Sequence, residues 1–369
     1  MASKYPPHLI TIPNELKDMI ASNLPMRDLA SLRRINKAWN AVASRCLYIR
    51  DAQEQGSRAI RWAALHGHSG ARGGCQVNVR IIRQSLRFGG DVNAVHTEGD
   101  NKFAQALHLA AARNRLPLVR LLLQMNADIV GLSSGLKVLE KTHIMPAPGR
   151  ERAAFLSKFG EHVQEALKIT NWLPLAAPFL LRHDQVIRAL INAGAPAQIG
   201  GVDHGWHIAD NHHVPAITIF HIMAVMSARE LNDELDNSEE WHGWRNRRGA
   251  PVRTPTSSSS TGGHLYFDLF RNFPKSLDTP LPYSGFTALH LAILHNNSQI
   301  FERLLAHGAN VGARTAEGLT PLTLATLECS MTYSAPIRRN LVSCIRSLLN
   351  AGADPNEQPL VHGKTPLIS

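Results

Sequence analysis

A chain of 369 residues and 40.6 kDa has room for two or three ordinary domains, or for one small domain and an array of repeats. With 44% apolar and 18% charged residues it is globular and not mostly disordered, and Cys46, Cys75, Cys329 and Cys344 show neither zinc nor disulfide spacing, which points to a reducing compartment. The formal charge of +10 invites a nucleic-acid partner, yet the arginines are spread, with local enrichment from Arg45 through Arg87 and from Arg245 to Arg253, and no aromatic interleaving or recognition helix accompanies them; nucleic acid is not expected as a partner.

The opening MASKYPPHLITIP has no continuous apolar segment behind its basic residue, so no secretory leader is expected. The most apolar run, Trp172 to Leu181, is ten residues interrupted by Pro174 and Pro178, too short to cross a bilayer. A soluble chain of the cytoplasm or nucleus, without a membrane partner, is the expectation.

Residues 8–51 predict three short helices. The first carries Pro13 in its first turn and Leu16, Ile20 and Leu24 along one face, with Pro25 ending it. Asp28 is placed to cap a second with Leu29, Leu32 and Ile35 inside, and Trp39, Val42, Cys46 and Leu47 continue the spacing through a third. So short a stretch supplies little core of its own, so a bound partner or packing on the following array is expected to help.

Ile12-Pro13-x-Glu15-Leu16, Leu24, Asp28-Leu29, Leu32-Arg33, Lys37, Trp39-Asn40 and Leu47-Tyr48 together resemble the F-box, a three-helix motif, although that family often has Leu-Pro where this chain has Ile12-Pro13. The resemblance implies that the motif docks on the adaptor subunit of a cullin-RING ubiquitin ligase while the rest of the chain holds a substrate. Ile12, Pro13, Leu16, Ile20, Leu29 and Leu32 are then the implied adaptor-facing or supporting positions, with Trp39 in the core. The competing reading is a plain helical cap over the first repeat.

From residue 58 onward helical pairs recur. The first pair is Arg58–His68 and Val79–Arg87, separated by a glycine-rich loop insertion, Ser69–Gln76, whose Gly73-Gly74 lacks the pattern of a phosphate cradle. The second runs from Ala106 through Leu121-Leu122-Leu123 to Asn126, which stands where a terminating glycine is usual. Residues 131–169 read as an insertion with a helix from Glu151 to about Ile169. The third pair spans Leu173 to Gly194, with an awkward Pro178, and the fourth starts near Thr218. It is interrupted over 227–263 by a polar segment that turns from acidic to basic and has the composition of a loop; His264–Phe273 returns as its second helix. Two good copies follow, the second with an insertion over 329–339, and Gly363-Lys364-Thr365-Pro366-Leu367 opens a further, incomplete one.

Thr287 and Thr320 lie 33 residues apart, a period that marks stacked repeats. Ala288-Leu289-His290 and Leu304-Leu305-x-x-Gly308-Ala309 resemble the ankyrin repeat, a turn followed by two helices, with Thr323 in place of the usual histidine in the next copy. The resemblance implies a curved solenoid that binds other proteins through turn tips and inner helices. A lone helical pair is apolar on two sides and needs its neighbours, so Leu107, Leu175 and Leu289 should share one seam. The expected fold is all-α: the F-box-like motif over 8–51, then about six degenerate repeats over 58–369.

His204, His207, His212 and His213 cluster without partner cysteines or carboxylates at a standard spacing, so no metal is expected; no nucleophile elbow or phosphate loop is present, and no catalytic residue or cofactor is assigned. His108, His221 and His290 hold the repeat's structural hydrogen-bonding position. Candidate substrate contacts are the turn-tip residues His96, Thr97, Glu98, Arg314, Thr315 and Glu317, polar groups that helix packing does not require. The functional expectation is a non-catalytic substrate receptor of a cullin-RING ligase, monomeric outside the complex, with an adaptor subunit and a protein substrate as partners. The alternative is an ankyrin scaffold without ligase function.

Overall fold

The computed structural model describes residues 12–66, 72–98, 101–141, 153, 155–201, 216–226 and 265–356. The polar segment 227–263, the four clustered histidines and the copy opening at Gly363 lie outside the described residues.

The described residues open with three helices: α1 (Asn14–Asn23), α2 (Met26–Leu32) and α3 (Lys37–Glu54). Pro13 and Pro25 stand at the caps of α1 and α2 in extended conformations, where no backbone donor is missed, and Asp28 lies inside the first turn of α2 instead of capping it. Asn36 caps α3 by accepting the Trp39 amide at 2.9 Å. Ala21, Leu29, Val42 and Ala43 form the bundle's small core. Because that core is slight, α3 is also seated on the next two helices, α4 (Arg58–His66) and α5 (Arg72–Arg87). Asp51, near the end of α3, accepts the Ala59 amide at 3.0 Å and ties the two units together.

α5 begins at Arg72, so residues 72–76 are helical where the two glycines suggested a loop. Glycine costs about 1 kcal/mol in a helix, and the apolar period through Val79, Ile82 and Leu86 outweighs it. A short antiparallel hairpin follows, β1 (His96–Glu98) with β2 (Asn101–Ala104). Next come α6 (Ala106–Ala112), α7 (Leu116–Gln124), α8 (Lys137–Lys141), α9 (Gly160–Ile169), β3 (Asn171–Trp172), α10 (Ala176–Leu180), α11 (Asp184–Asn192), β4 (Gln198–Gly201), β5 (Ala216–Thr218) and α12 (Ile219–Val225). The chain is completed by α13 (Leu265–Asn272), α14 (Ala288–Leu294), α15 (Ser298–Ala306), α16 (Pro321–Met331) and α17 (Ala335–Asn350).

The repeats are the pairs α4/α5, α6/α7, α10/α11, α14/α15 and α16/α17, with α13 set against α12 through Phe270 and Phe220, and they stack first helix on first helix from α4 to α6 and from α12 through α14 to α16. Strands occur in the connections only, among the described residues, with β3, β4 and β5 forming one antiparallel sheet. One apolar core runs from Ile60 to Ala353 and contains Leu107, Leu175 and Leu289. Pro178 is the third residue of α10, within the first turn, so its absent donor breaks no bond. Residues 329–339 are taken up mostly as extra turns of α16 and α17, since Ala335-Pro336 starts a helix readily. The helix expected over 151–169 is broken by a 3-10 turn, Ser157–Phe159, and by Gly160 at φ 66°.

Hydrogen bonds join each copy to the next. After α6, α10 and α14 the residues Asn114, Arg182 and Asn296 take φ of 55°, 59° and 53°, and the residue that follows each reaches back to the preceding copy. Arg115 donates to the Leu65 carbonyl at 3.5 Å, and the His183 ring lies 3.3 Å from the Ala111 carbonyl. Asn297 donates to the carbonyls of Met223, Ala224 and Met226 at 3.2, 3.2 and 2.7 Å, satisfying the orphan acceptors at the end of α12. At the other end of the pairs, Asn126, Gly194, Gly308 and Gly352 take φ of 58°, 93°, 82° and 92°. The alanine after each donates 3.0 Å back to the last turn of its helix.

Thr287 and His290 form a reciprocal cap: the threonine hydroxyl accepts the His290 amide, and His290 Nδ1 accepts the Thr287 amide at 3.3 Å. Nε2 is then the protonated nitrogen and donates to the Leu319 carbonyl of the next copy at 3.1 Å. Thr218 and His221 repeat the cap, with His221 Nε2 near the Thr279 and Phe286 backbone but without a well-formed hydrogen bond. His108 Nε2 lies 3.0 Å from the Gly131 carbonyl and 3.2 Å from that of Trp172.

Burial holds all three imidazoles down to about 4, with nearby backbone carbonyls only partly offsetting it. They are neutral in the native state and take up protons on unfolding, so their contribution is complete above about pH 6.5 and is lost as pH falls toward 4. Each is worth on the order of 3 kcal/mol across that window. The urea midpoint should therefore fall steadily from about pH 6.5 to about pH 4.5, and a flat profile would contradict neutral buried histidines. Asn297→Ala should lower stability by about 2–3 kcal/mol, measured by urea titration, because three buried carbonyls lose their donor.

Candidate protein-binding surfaces

On α1, Leu16, Met19 and Ile20 are 45%, 57% and 36% exposed and share one helix face at i, i+3 and i+4. Two of the six expected adaptor-facing residues, Leu16 and Ile20, thus belong to an open apolar patch, and Met19 is a member that periodicity alone did not select. Pro13 is exposed beside the start of the helix, and Ile12 and Leu32 are half-buried. Leu29 is fully buried in the bundle core and contacts no outside partner.

Of the turn-tip residues, His96, Thr97 and Glu98 form β1, with Thr97 paired to Lys102 and Glu98 to Asn101, so this tip is a hairpin finger. Arg314 and Glu317 are exposed. Thr315 is 6% exposed and builds the turn: its hydroxyl accepts the Leu319 amide at 3.1 Å, and its amide donates to the Leu319 carbonyl at 3.0 Å. A buried hydroxyl committed to its own backbone is not a contact residue. The Ala316 amide donates to the Ser284 carbonyl at 2.9 Å, stacking this turn on the preceding one.

That stacking sets the turn that carries Tyr283 next to the turn that carries Arg314 and Glu317. Tyr283 holds φ 64° and is 79% exposed, a strained backbone that aims a large aromatic ring at solvent. Sequence reasoning passed over it; its only signal is an aromatic flanked by the turn residues Pro280, Pro282, Ser284 and Gly285.

The 131–169 insertion decides how much of the inner surface remains open. α8 packs on α6 and β2, and Ser133 pairs with Trp172 through two backbone bonds of 2.9 and 3.1 Å. Leu156, Phe159, Val163, Ala166 and Leu167 enter the main core, and α9 lies against α12 and β5. The His162 ring stacks on Phe286 at 4.2 Å, and Gly160 abuts the His295 ring so closely that a Cβ would sit 2.4 Å from it. Burial, and secondly the charge of His162, holds the His295 imidazole below its ordinary value. The insertion therefore packs on helices of copies two and four and against His295 at the end of α14, and among the described residues Tyr283, Arg314 and Glu317 stay exposed.

Among the described residues, no group of three His, Cys, Asp or Glu side chains converges to hold a metal ion, and no helix is long and apolar enough to cross a membrane. Cys344, on the buried face of α17, is pushed up to about 11 by burial first and by Glu302 second, which keeps it a thiol.

Residues 277–325 match the family model described as ankyrin repeats (many copies), and residues 105–132 match the one described as ankyrin repeat. Over 88 residues the chain is 39% identical to the human protein named ankyrin repeat and SOCS box protein 6, and 36% identical to its Mus musculus counterpart. The aligned stretch is 24% of this chain and spans 18% of the length of these relatives. Among solved structures, the ankyrin repeat domain of Bcl-3 aligns at 17% identity over 84% of this chain and 92% of that one, with a TM-score of 0.47; the human ASB11 ankyrin repeat domain aligns at 16% over 84% and 90%, with a TM-score of 0.37.

These relatives are named for a SOCS box, which overturns the F-box identity expected for residues 8–51. The physical reason is that Leu29, Leu32, Trp39 and Leu47, which carried much of that resemblance, are buried or half-buried in the three-helix unit, as apolar positions of any such bundle must be. The two matched segments and the stacked helix pairs around them make the fold an all-α ankyrin-repeat solenoid.

Proposed function

We propose that the chain is a substrate-recognition subunit of a cullin-RING ubiquitin ligase, with its repeats holding the protein to be modified and recruited subunits supplying the chemistry. The observation that carries the protein-binding half is the exposed turn edge. Tyr283 and Arg314 are the residue types that dominate interface energies, and Tyr283 is presented on a strained turn fixed by the stacked copy behind it. The ligase half is supported by the names of the relatives, which pair ankyrin repeats with a SOCS box.

In this reading the contacts to substrate are Tyr283, Arg314 and Glu317, with the β1–β2 finger at His96, Thr97 and Glu98 as a second point of contact. Glu317 and Arg314 supply opposite charges a few residues apart, which favours selection of a partner by charge pattern. The open Leu16, Met19 and Ile20 face is the proposed seat of a recruited ligase subunit, an apolar patch on the outside of α1. Catalysis then reduces to proximity: a protein held beside the ubiquitin-charged enzyme reacts at a high effective concentration.

The test is affinity capture of the full-length tagged chain from cells, probed with cullin antibodies, beside two double variants. The wild-type chain should retain a cullin, and Leu16→Glu with Ile20→Glu should reduce that signal about tenfold without changing the helical circular dichroism. Tyr283→Ala with Arg314→Ala should keep the cullin and lose about tenfold of the captured substrate. A folded wild-type chain that brings down no cullin would leave a repeat scaffold without ligase function.

A further inference from the structure

The second helices α7, α11 and α15 are nine residues long, whereas α5 and α17 have sixteen. α3, α4 and α7 pack around α5, with Asn78, Ile82 and Ser85 directed inward. The opposite side is an open groove of about 460 Å³ lined by Gln76, Val79, Arg80, Arg83, Gln84 and Arg87. All three guanidinium groups are exposed, and among the described residues none of them forms an ion pair. Arg87 sits 5.8 Å above the Phe88 ring, which itself stacks on Tyr48 at 6.2 Å, and this limits its freedom.

We propose that this face of α5 docks an acidic helical segment of a protein partner, independently of the turn edge and of the ligase reading. Arg80, Arg83 and Arg87 recur at i, i+3 and i+7, about one guanidinium per helical turn. Carboxylates spaced one per turn on a facing helix meet them in register, each in the planar paired geometry that a guanidinium offers. Val79 gives the groove an apolar floor, and Gln76 and Gln84 add neutral hydrogen-bonding groups. A nucleic acid fits less well: the arginines form one narrow row, and Tyr48 and Phe88, the aromatic rings beside it, are half-buried and stacked on each other instead of being open to bases.

The groove on α17 is the internal comparison. It too is lined by arginines, Arg338, Arg339 and Arg346, but the first two donate to the carbonyls of Thr332 and Ala335. Their donors are partly committed to the chain's own backbone, whereas among the described residues Arg80, Arg83 and Arg87 donate no side-chain hydrogen bond to a backbone carbonyl.

The probe is a fluorescein-labelled peptide of about 20 residues with glutamate at every third or fourth position, titrated with the full chain and read by anisotropy at low salt. Arg80→Gln, Arg83→Gln and Arg87→Gln combined should weaken binding at least about tenfold, and the matching three-lysine variant should recover only part of it. Arg338→Gln with Arg346→Gln should leave the affinity within about twofold of wild type. Equal loss in the α17 variant, unchanged binding by the three-glutamine variant, or tighter binding of an RNA duplex than of the peptide would each overturn the proposal. Because the α5 arginines are exposed, the variants should retain the wild-type melting profile, so a loss of binding is not a loss of fold.

Discussion

A hairpin of two short helices ends in carbonyl groups that nothing within the hairpin can satisfy, and it is apolar on the two sides that face along the stack. Asn297 shows how the array resolves both problems at once. Its carboxamide closes the end of α12 while its own helix, α15, buries Ile300, Phe301 and Leu304 in the shared core. A copy is therefore complete only when its successor is present. Arg115 and His183 perform the same task with different chemistry, which indicates that the position is defined by the left-handed residue before it and less by the side chain used.

This arrangement separates what holds the molecule together from what it offers to a partner. First helices and their capping histidines are consumed by the stack, and α9 consumes more of the same side. Among the described residues, what stays exposed includes a turn layer carrying Tyr283, Arg314 and Glu317, an apolar patch on α1, and the arginine-lined helix α5. The three surfaces differ in chemistry: aromatic and charged on the turn layer, apolar on α1 and basic on α5.

The parts legible in the sequence are those fixed over a few residues. The Thr-x-x-His cap, the exit at Gly308, and the substitution of Asn126 for glycine each follow from local backbone geometry, so a reader of residues alone finds them. Thr315 was misjudged because a polar side chain in a turn says nothing about whether its hydroxyl points outward or back onto Leu319. Tyr283 was invisible for the converse reason: nothing local announces that a tyrosine takes a positive φ. The helical insertion was recognised as a helix, but its seat against α12 and Phe286 depends on contacts far apart in the chain. The amino-terminal motif was misassigned because apolar periodicity specifies a buried face and leaves the lineage of the bundle open.

Stacked repeats ordinarily touch only their neighbours, and such arrays can lose end units one by one as they are destabilised. Here the segment between the second and third copies reaches forward to the fourth and fifth, with Phe159, Val163 and Leu167 in the common core. That long-distance tie raises the average separation of contacting residues, which slows folding, and it obliges the central copies to order together. The middle of the array should thus behave as one cooperative block, with fraying confined to the outermost units.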